Sequence, residues 1–240
     1  MTRRDFVRLA LLAAPAVTLT GCAANHAYAA AAPVASIQPS SSLPESWQMP
    51  TNQKTEDYRQ QYPLSCEVAC FRMVLFHYNM DASEEQLMTD LGQNENPNKG
   101  FRGDYRGSST WDDGLADYGA HVPAVKRLVD SFPHPGAFNG IPIANVFQAR
   151  TAIAHNWLTI AWIPVGLEQS GRDQIPLSDG ETVNIVPAEH TIVLHGYDAA
   201  GFNIYDPEPD PHLPSHVPAD TLAQGMALFD NPGLAIQPLF

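Results

Sequence analysis

Long apolar runs, basic residues and cysteines are all scarce in this 240-residue chain, and each scarcity removes a class of protein. The apolar stretch near the N-terminus, Leu9 to Leu19, is about half the roughly 20 residues that a membrane-spanning helix needs. Thirteen Lys+Arg stand against 26 Asp+Glu, and the resulting formal charge of −13 repels nucleic acid and anionic lipid headgroups, so no nucleic-acid partner is expected. Three cysteines are too few for a disulfide-stapled framework. The histidines show no zinc-ligand spacing with cysteine or carboxylate, so no metal is expected. A phosphate loop, a dinucleotide fingerprint and a Gly-x-Ser-x-Gly elbow are all missing, and no cofactor is expected. There is no internal repeat and no heptad run. Any chemistry must come from the chain's own side chains.

What is there begins with processing signals. Arg3-Arg4-Asp5-Phe6, the short apolar stretch and Leu19-Thr20-Gly21-Cys22 follow one another in the order of a secretory signal. The start resembles a twin-arginine signal, and the last four residues resemble a bacterial lipobox, which implies cleavage before Cys22 and acylation of that cysteine. We therefore expect a signal peptide over 1–21, a lipidated flexible tether over 22–45 and a folded domain over 46–240. The tether is rich in Ala, Pro and Ser, a composition that cannot bury a core. The expected location is the periplasmic face of the cell envelope, held to the membrane through Cys22. Export would expose Cys66 and Cys70 to oxidation, but one helical turn leaves their Cβ atoms about 5–6 Å apart, too far for a relaxed disulfide.

The periodicity predicts helices first. Cys66 to His77 recurs apolar at helical spacing behind Ser65, a suitable N-cap. Ser83 with Gln86 forms a capping box for a helix over Glu84–Leu91, with Gly92 after it. A third helix runs from Pro123 to Val129 or Asp130, a fourth over Ala144–Ala154, and a last one over Ala219–Leu228. Between Gly92 and Gly119 lies a long polar loop containing Trp111, of the kind that carries function. Strand-like runs follow at Trp157–Ile163, Thr191–Leu194 and Phe202–Tyr205, the last two joined by a hairpin turn at Asp198–Gly201. This order predicts an α+β domain.

Cys66 is the residue with the clearest chemical potential. A thiol at a helix N-terminus meets unpaired N–H groups and the positive end of the helix dipole, which favour the thiolate. His190 starts one strand of the hairpin and Asp206 ends the other, so both lie at the same end of the sheet. A thiol nucleophile needs such a base and orienting acid. Gln60, in the approach to the helix, is placed to join the Cys66 backbone N–H in an oxyanion hole. Cys70 reads as core, Glu67 as a helix-start acid, His121 as a solvated loop histidine and Asp198 as a turn cap. His195, five residues beyond His190, points to the opposite face of the strand.

The segments Gln60–Leu75, Asn96–Asp104, Asp117–His121, His190–Asp198 and Tyr205–Pro207 together resemble the papain-like double-glycine (bacteriocin-leader) peptidases, and more closely their stand-alone relatives. The resemblance implies a papain-like fold with N-terminal helices, the nucleophile helix packed on a C-terminal antiparallel sheet. It implies Cys66 as nucleophile, His190 as base, Asp206 as orienting acid and Gln60 as oxyanion donor, acting on a peptide or protein substrate. Glu67 follows the nucleophile where leader peptidases carry glycine, although stand-alone relatives often carry glutamate. No transporter follows the domain, so cleavage coupled to export is not implied. Two other readings stay open: a non-catalytic lipoprotein that holds a peptide or envelope component, and a transglutaminase-like acyltransferase.

Overall fold

The computed structural model describes residues 43–107, 116–132, 136–168 and 170–240. Cys22, the signal and nearly all of the tether lie outside the described residues, as does Trp111. Among the described residues the first strand is β1 (Trp47–Gln48), followed by α1 (Gln53–Glu56), α2 (Cys66–His77), α3 (Glu84–Leu91) and α4 (Val122–Ser131). Then come β2 (Phe138–Ile143), α5 (Val146–Ala154), β3 (Thr159–Pro164) and the small hairpin β4 (Asp173–Pro176) and β5 (Thr182–Ile185). The chain ends with β6 (Glu189–Tyr197), β7 (Gly201–Tyr205), β8 (His216–Pro218), α6 (Ala219–Met226) and β9 (Gly233–Pro238).

The main sheet is antiparallel throughout, in the order β2-β9-β3-β6-β7-β8, with β1 paired to the far end of β6. Its central strands β3 and β6 are buried along almost their whole length, so both sheet faces are covered. α2 and α4 pack on the sheet and on each other, and α5 and α6 do the same as a second pair. No helix among the described residues is long and apolar enough to cross a membrane.

The expected helices stand close to their predicted bounds, and their caps explain why. Ser83 accepts from the Gln86 N–H, Gly92 closes α3 at φ 71°, and Asn145 accepts from the Phe147 and Gln148 N–H groups at the head of α5. The Asp198 side chain accepts from the Ala200 and Gly201 N–H groups in the β6–β7 turn. Six of the strands among the described residues, β1, β2, β4, β5, β8 and β9, had no counterpart in the sequence reading. β2 carries Gly140 and Pro142, which weaken a strand signal, and it is tolerated because it lies at the sheet edge. β9 is a short run that gains its register only between β2 and β3. The β4–β5 hairpin closes a separate apolar cluster of Tyr118, Ile175, Leu177, Val183 and Ile185. The loop from Gly92 to Gly119 folds back on itself through Gln93–Phe101 and Arg102–Gly119 bridges.

Candidate active site

Cys66 opens α2, and α2 lies on β6: the Cys70 Sγ one turn later donates to the Thr191 carbonyl oxygen at 3.3 Å. Both cysteines are buried and free. The β6–β7 pairing matches Val193 with Tyr205, which brings the start of β6 and the residue after β7 together. His190 Nε2 lies 2.8 Å from Asp206 Oδ1, both side chains nearly buried. An ionised carboxylate only accepts, so this contact puts the imidazole proton on Nε2 and leaves Nδ1 as a base. Cys66, His190 and Gln60 share one cavity of about 640 Å³.

The approach to Cys66 is fixed from two sides. The Gln60 N–H donates to the Pro207 carbonyl at 2.7 Å, tying the approach loop to the residue beside Asp206. Glu84, fully buried in α3, accepts from the Gln61 N–H at 2.9 Å and from the hydroxyls of Tyr58 and Ser65. Ser65 thus stands at the N-cap position of α2, but its hydroxyl serves Glu84 and caps nothing. The Gln60 amide nitrogen donates to the Tyr62 and Pro63 carbonyls, both at 3.1 Å.

Two carboxylates lie behind the thiol. Glu67 stands in the first turn of α2, as expected of a helix-start acid, but it is 1 % exposed, accepts from the Ala120 N–H, and takes the Cys66 S–H at 3.6 Å. Glu189, directly before His190, has a side chain 1 % exposed. The two meet at Gly119, where a methyl group would sit 2.7 Å from Glu67 Oε1 and 3.4 Å from Glu189 Oε1. Trp162 Nε1 donates to the Ala120 carbonyl at 3.0 Å and so pins the same segment from the sheet side. His121 is mostly buried rather than solvated, with Nε2 3.1 Å from the Tyr118 hydroxyl and Nδ1 3.2 Å from Asn98 Oδ1. The only sequence signals were Glu67 next to the nucleophile and Glu189 next to the base.

These neighbours alter the electrostatics expected from the helix terminus alone. Burial pushes the Cys66 thiol well above its usual range, and the charges of Glu67 and Glu189 push it further. The resting form is therefore the neutral thiol, and the dipole of α2 does not overcome desolvation. Burial raises Glu67 to about 7, against the Ala120 hydrogen bond that favours its charge. Burial, then the charge of Glu67, raises Glu189 well above the carboxylate range. His195 occupies a bulge between Leu194 and Gly196, stacks on Tyr205 at 3.8 Å and bonds Gln48. It lines a different groove from Cys66. A buried thiol, an oriented imidazole and an amide around one cavity can carry out acyl transfer by a base-assisted nucleophile.

The fold has a counterpart among solved structures. A C39-like peptidase from Bacillus anthracis, so described, superposes with a TM-score of 0.65 at 19 % identity, covering 81 % of this chain and 98 % of that one. Xylellain, a cysteine protease from Xylella fastidiosa, aligns at 13 % identity with a TM-score of 0.47, over 85 % of this chain and 91 % of that one. No curated protein matches the sequence. The Peptidase_C39 like family matches residues 49–216, well over half of the chain. The chain belongs to the Peptidase_C39 like family and is a cysteine peptidase with a papain-like α+β fold.

Proposed function

We propose that this peptidase hydrolyses amide bonds of a peptide or protein in the cell envelope through Cys66, His190 and Asp206. The observation that carries the reading is the 2.8 Å His190–Asp206 hydrogen bond in the wall of the cavity that also takes in Cys66. A bound carbonyl turns the thiol proton from Glu67 to His190 Nδ1 as Sγ attacks. The Cys66 N–H and the Gln60 amide stabilise the oxyanion, Gln60 by giving up one of its two backbone contacts. The imidazolium then protonates the leaving amine, and water, deprotonated by the same histidine, cleaves the thioester. Asp206 keeps the ring oriented and stabilises its charged form.

Anchoring of the enzyme through an acylated Cys22, after removal of residues 1–21, belongs to the same proposal and is supported by the order of the N-terminal motifs. More than one acyl chain would hold it stably, whereas a single chain would not. The test is labelling of the folded protein with a thiol-directed peptidyl probe. Cys66→Ala abolishes labelling and Cys70→Ala retains it; equal labelling of both variants would sink the nucleophile assignment. Incorporation of a fatty-acid analogue that persists in Cys22→Ala would sink the anchor.

A further inference from the structure

Thr191 is a fully buried polar residue that takes no part in the steps above, although it directly follows His190 on β6. Its register partner across the sheet is Trp162 of β3, whose indole reaches the Ala120 carbonyl. Residues directly opposite in an antiparallel ladder share a face, so Thr191 lies on the face that meets Ala120 and Glu67. Glu189, two residues earlier on the strand, shares that face. The Thr191 hydroxyl oxygen has no hydrogen-bond partner among the described residues. Both nearby S–H groups are spent elsewhere: Cys66 donates to Glu67 Oε2, and Cys70 donates to the Thr191 carbonyl at 3.3 Å. The hydroxyl is close enough to act on both sulfurs, but a neutral thiol is a weak acceptor.

Ionisation of Cys66 changes the worth of this hydroxyl, because a charged acceptor binds a donor about twice as strongly as a neutral one. Burial, then the charges of Glu67 on α2 and Glu189 on β6, hold the thiol in its neutral form, and the Thr191 hydroxyl acts in the opposite sense. Cys70, one turn along α2, adds a further weak push upward, and His190 in the cavity wall is the base. We propose that Thr191 is a donor held in reserve for the Cys66 thiolate. As the thiol proton passes to His190 Nδ1, the hydroxyl keeps its own proton and turns it onto Sγ. The bond exists in the charged state and not in the resting one, so it favours the thiolate–imidazolium pair that precedes attack. Cys70 keeps the hydroxyl in place by tying the Thr191 carbonyl to α2.

This inference rests on the nucleophile assignment above, and the experiment separates the two. Iodoacetamide alkylation of Cys66 is measured at pH 8 on the full chain, with Cys70→Ala in the background. Thr191→Val removes the hydroxyl at nearly constant shape. It is expected to cut the thiolate fraction about tenfold and, because a more basic thiolate is a better nucleophile, to slow alkylation about threefold. The ultraviolet absorbance of the thiolate, read as the difference from Cys66→Ala, appears about one pH unit later on titration. Thr191→Ser recovers both readouts. Stability moves the other way: the Val variant unfolds at no less urea than wild type, since a methyl group replaces an unpartnered hydroxyl. Unchanged or faster alkylation in Thr191→Val, a Ser variant as slow as Val, or a Val variant that loses stability overturns the role of Thr191 and leaves Cys66 as nucleophile. Absence of Cys66 alkylation in the folded wild-type chain overturns both readings.

Discussion

Replacing Glu67 by Gln keeps the shape and the acceptor for the Ala120 N–H but removes the charge beside the nucleophile. Two unit charges 3.6 Å apart interact by about 4–5 kcal/mol at an effective dielectric of about 20. Spreading the carboxylate charge over two oxygens, with the Ala120 hydrogen bond on one, leaves roughly half of that, about 2 kcal/mol. That corresponds to a thiol pKa lower by about 1.5 units, and a thiolate fraction at pH 8 higher by about thirtyfold. A less basic thiolate is also less nucleophilic, which returns a factor of about five. The net expectation is iodoacetamide alkylation of Cys66 at pH 8 faster by about five- to tenfold in a Cys70→Ala background. Stability gives a second readout. The Glu67 carboxyl is raised from 4.5 to about 7 in the fold, so the folded state binds the extra proton between those values. Stability from this group is therefore full at low pH and declines as pH rises through that window. By pH 8 the loss is on the order of 3 kcal/mol, and the Gln variant escapes it. Chemical unfolding of the two proteins at pH 4.5 and pH 8 measures the gap. An unchanged alkylation rate together with equal stability at pH 8 would refute the account of a buried charge acting on the thiol.

Two further outcomes follow from hydrogen bonds in the same region. Asp206→Ala removes the acceptor that holds the proton on His190 Nε2, and kcat is expected to fall by about 10²–10⁴; a rate within threefold of wild type would contradict the tautomer argument. Trp162→Phe strands the Ala120 carbonyl in the interior and should lower unfolding free energy by roughly 1–3 kcal/mol in urea titrations, with an unchanged midpoint as the contrary result.

The parts of this protein written in local pattern were legible in the sequence. α2 stands at Cys66–His77 because its apolar spacing is helical, and α3 stands where Ser83 and Gly92 cap it. The β6–β7 turn is held by Asp198 because an aspartate side chain mimics a turn's own acceptor. That hairpin brings His190 to Asp206 without any distant contact. What escaped was non-local. Glu67 and Glu189 look like surface acids until the 92–119 loop returns Gly119 and Ala120 onto them, and nothing near either residue encodes that return. Likewise β9 is apolar and short, and becomes a central strand only because β2 and β3 flank it. The neutral thiol has the same origin, since a helix-dipole argument counts the helix and omits what is buried against its first turn.

Glu84 lends the approach loop an unusual dependence. Tyr58, Gln61 and Ser65, on both sides of Gln60 and up to the residue before Cys66, converge on this one carboxylate of α3. The geometry of the cleft wall is thereby outsourced to a helix that lends no residue to the cavity around Cys66. Damage to α3 would reach the chemistry as a misplaced nucleophile, and would be mistaken for a catalytic lesion in a protein that is otherwise folded. Drift in α3 among relatives would, for the same reason, retune the cleft without altering any residue that lines it.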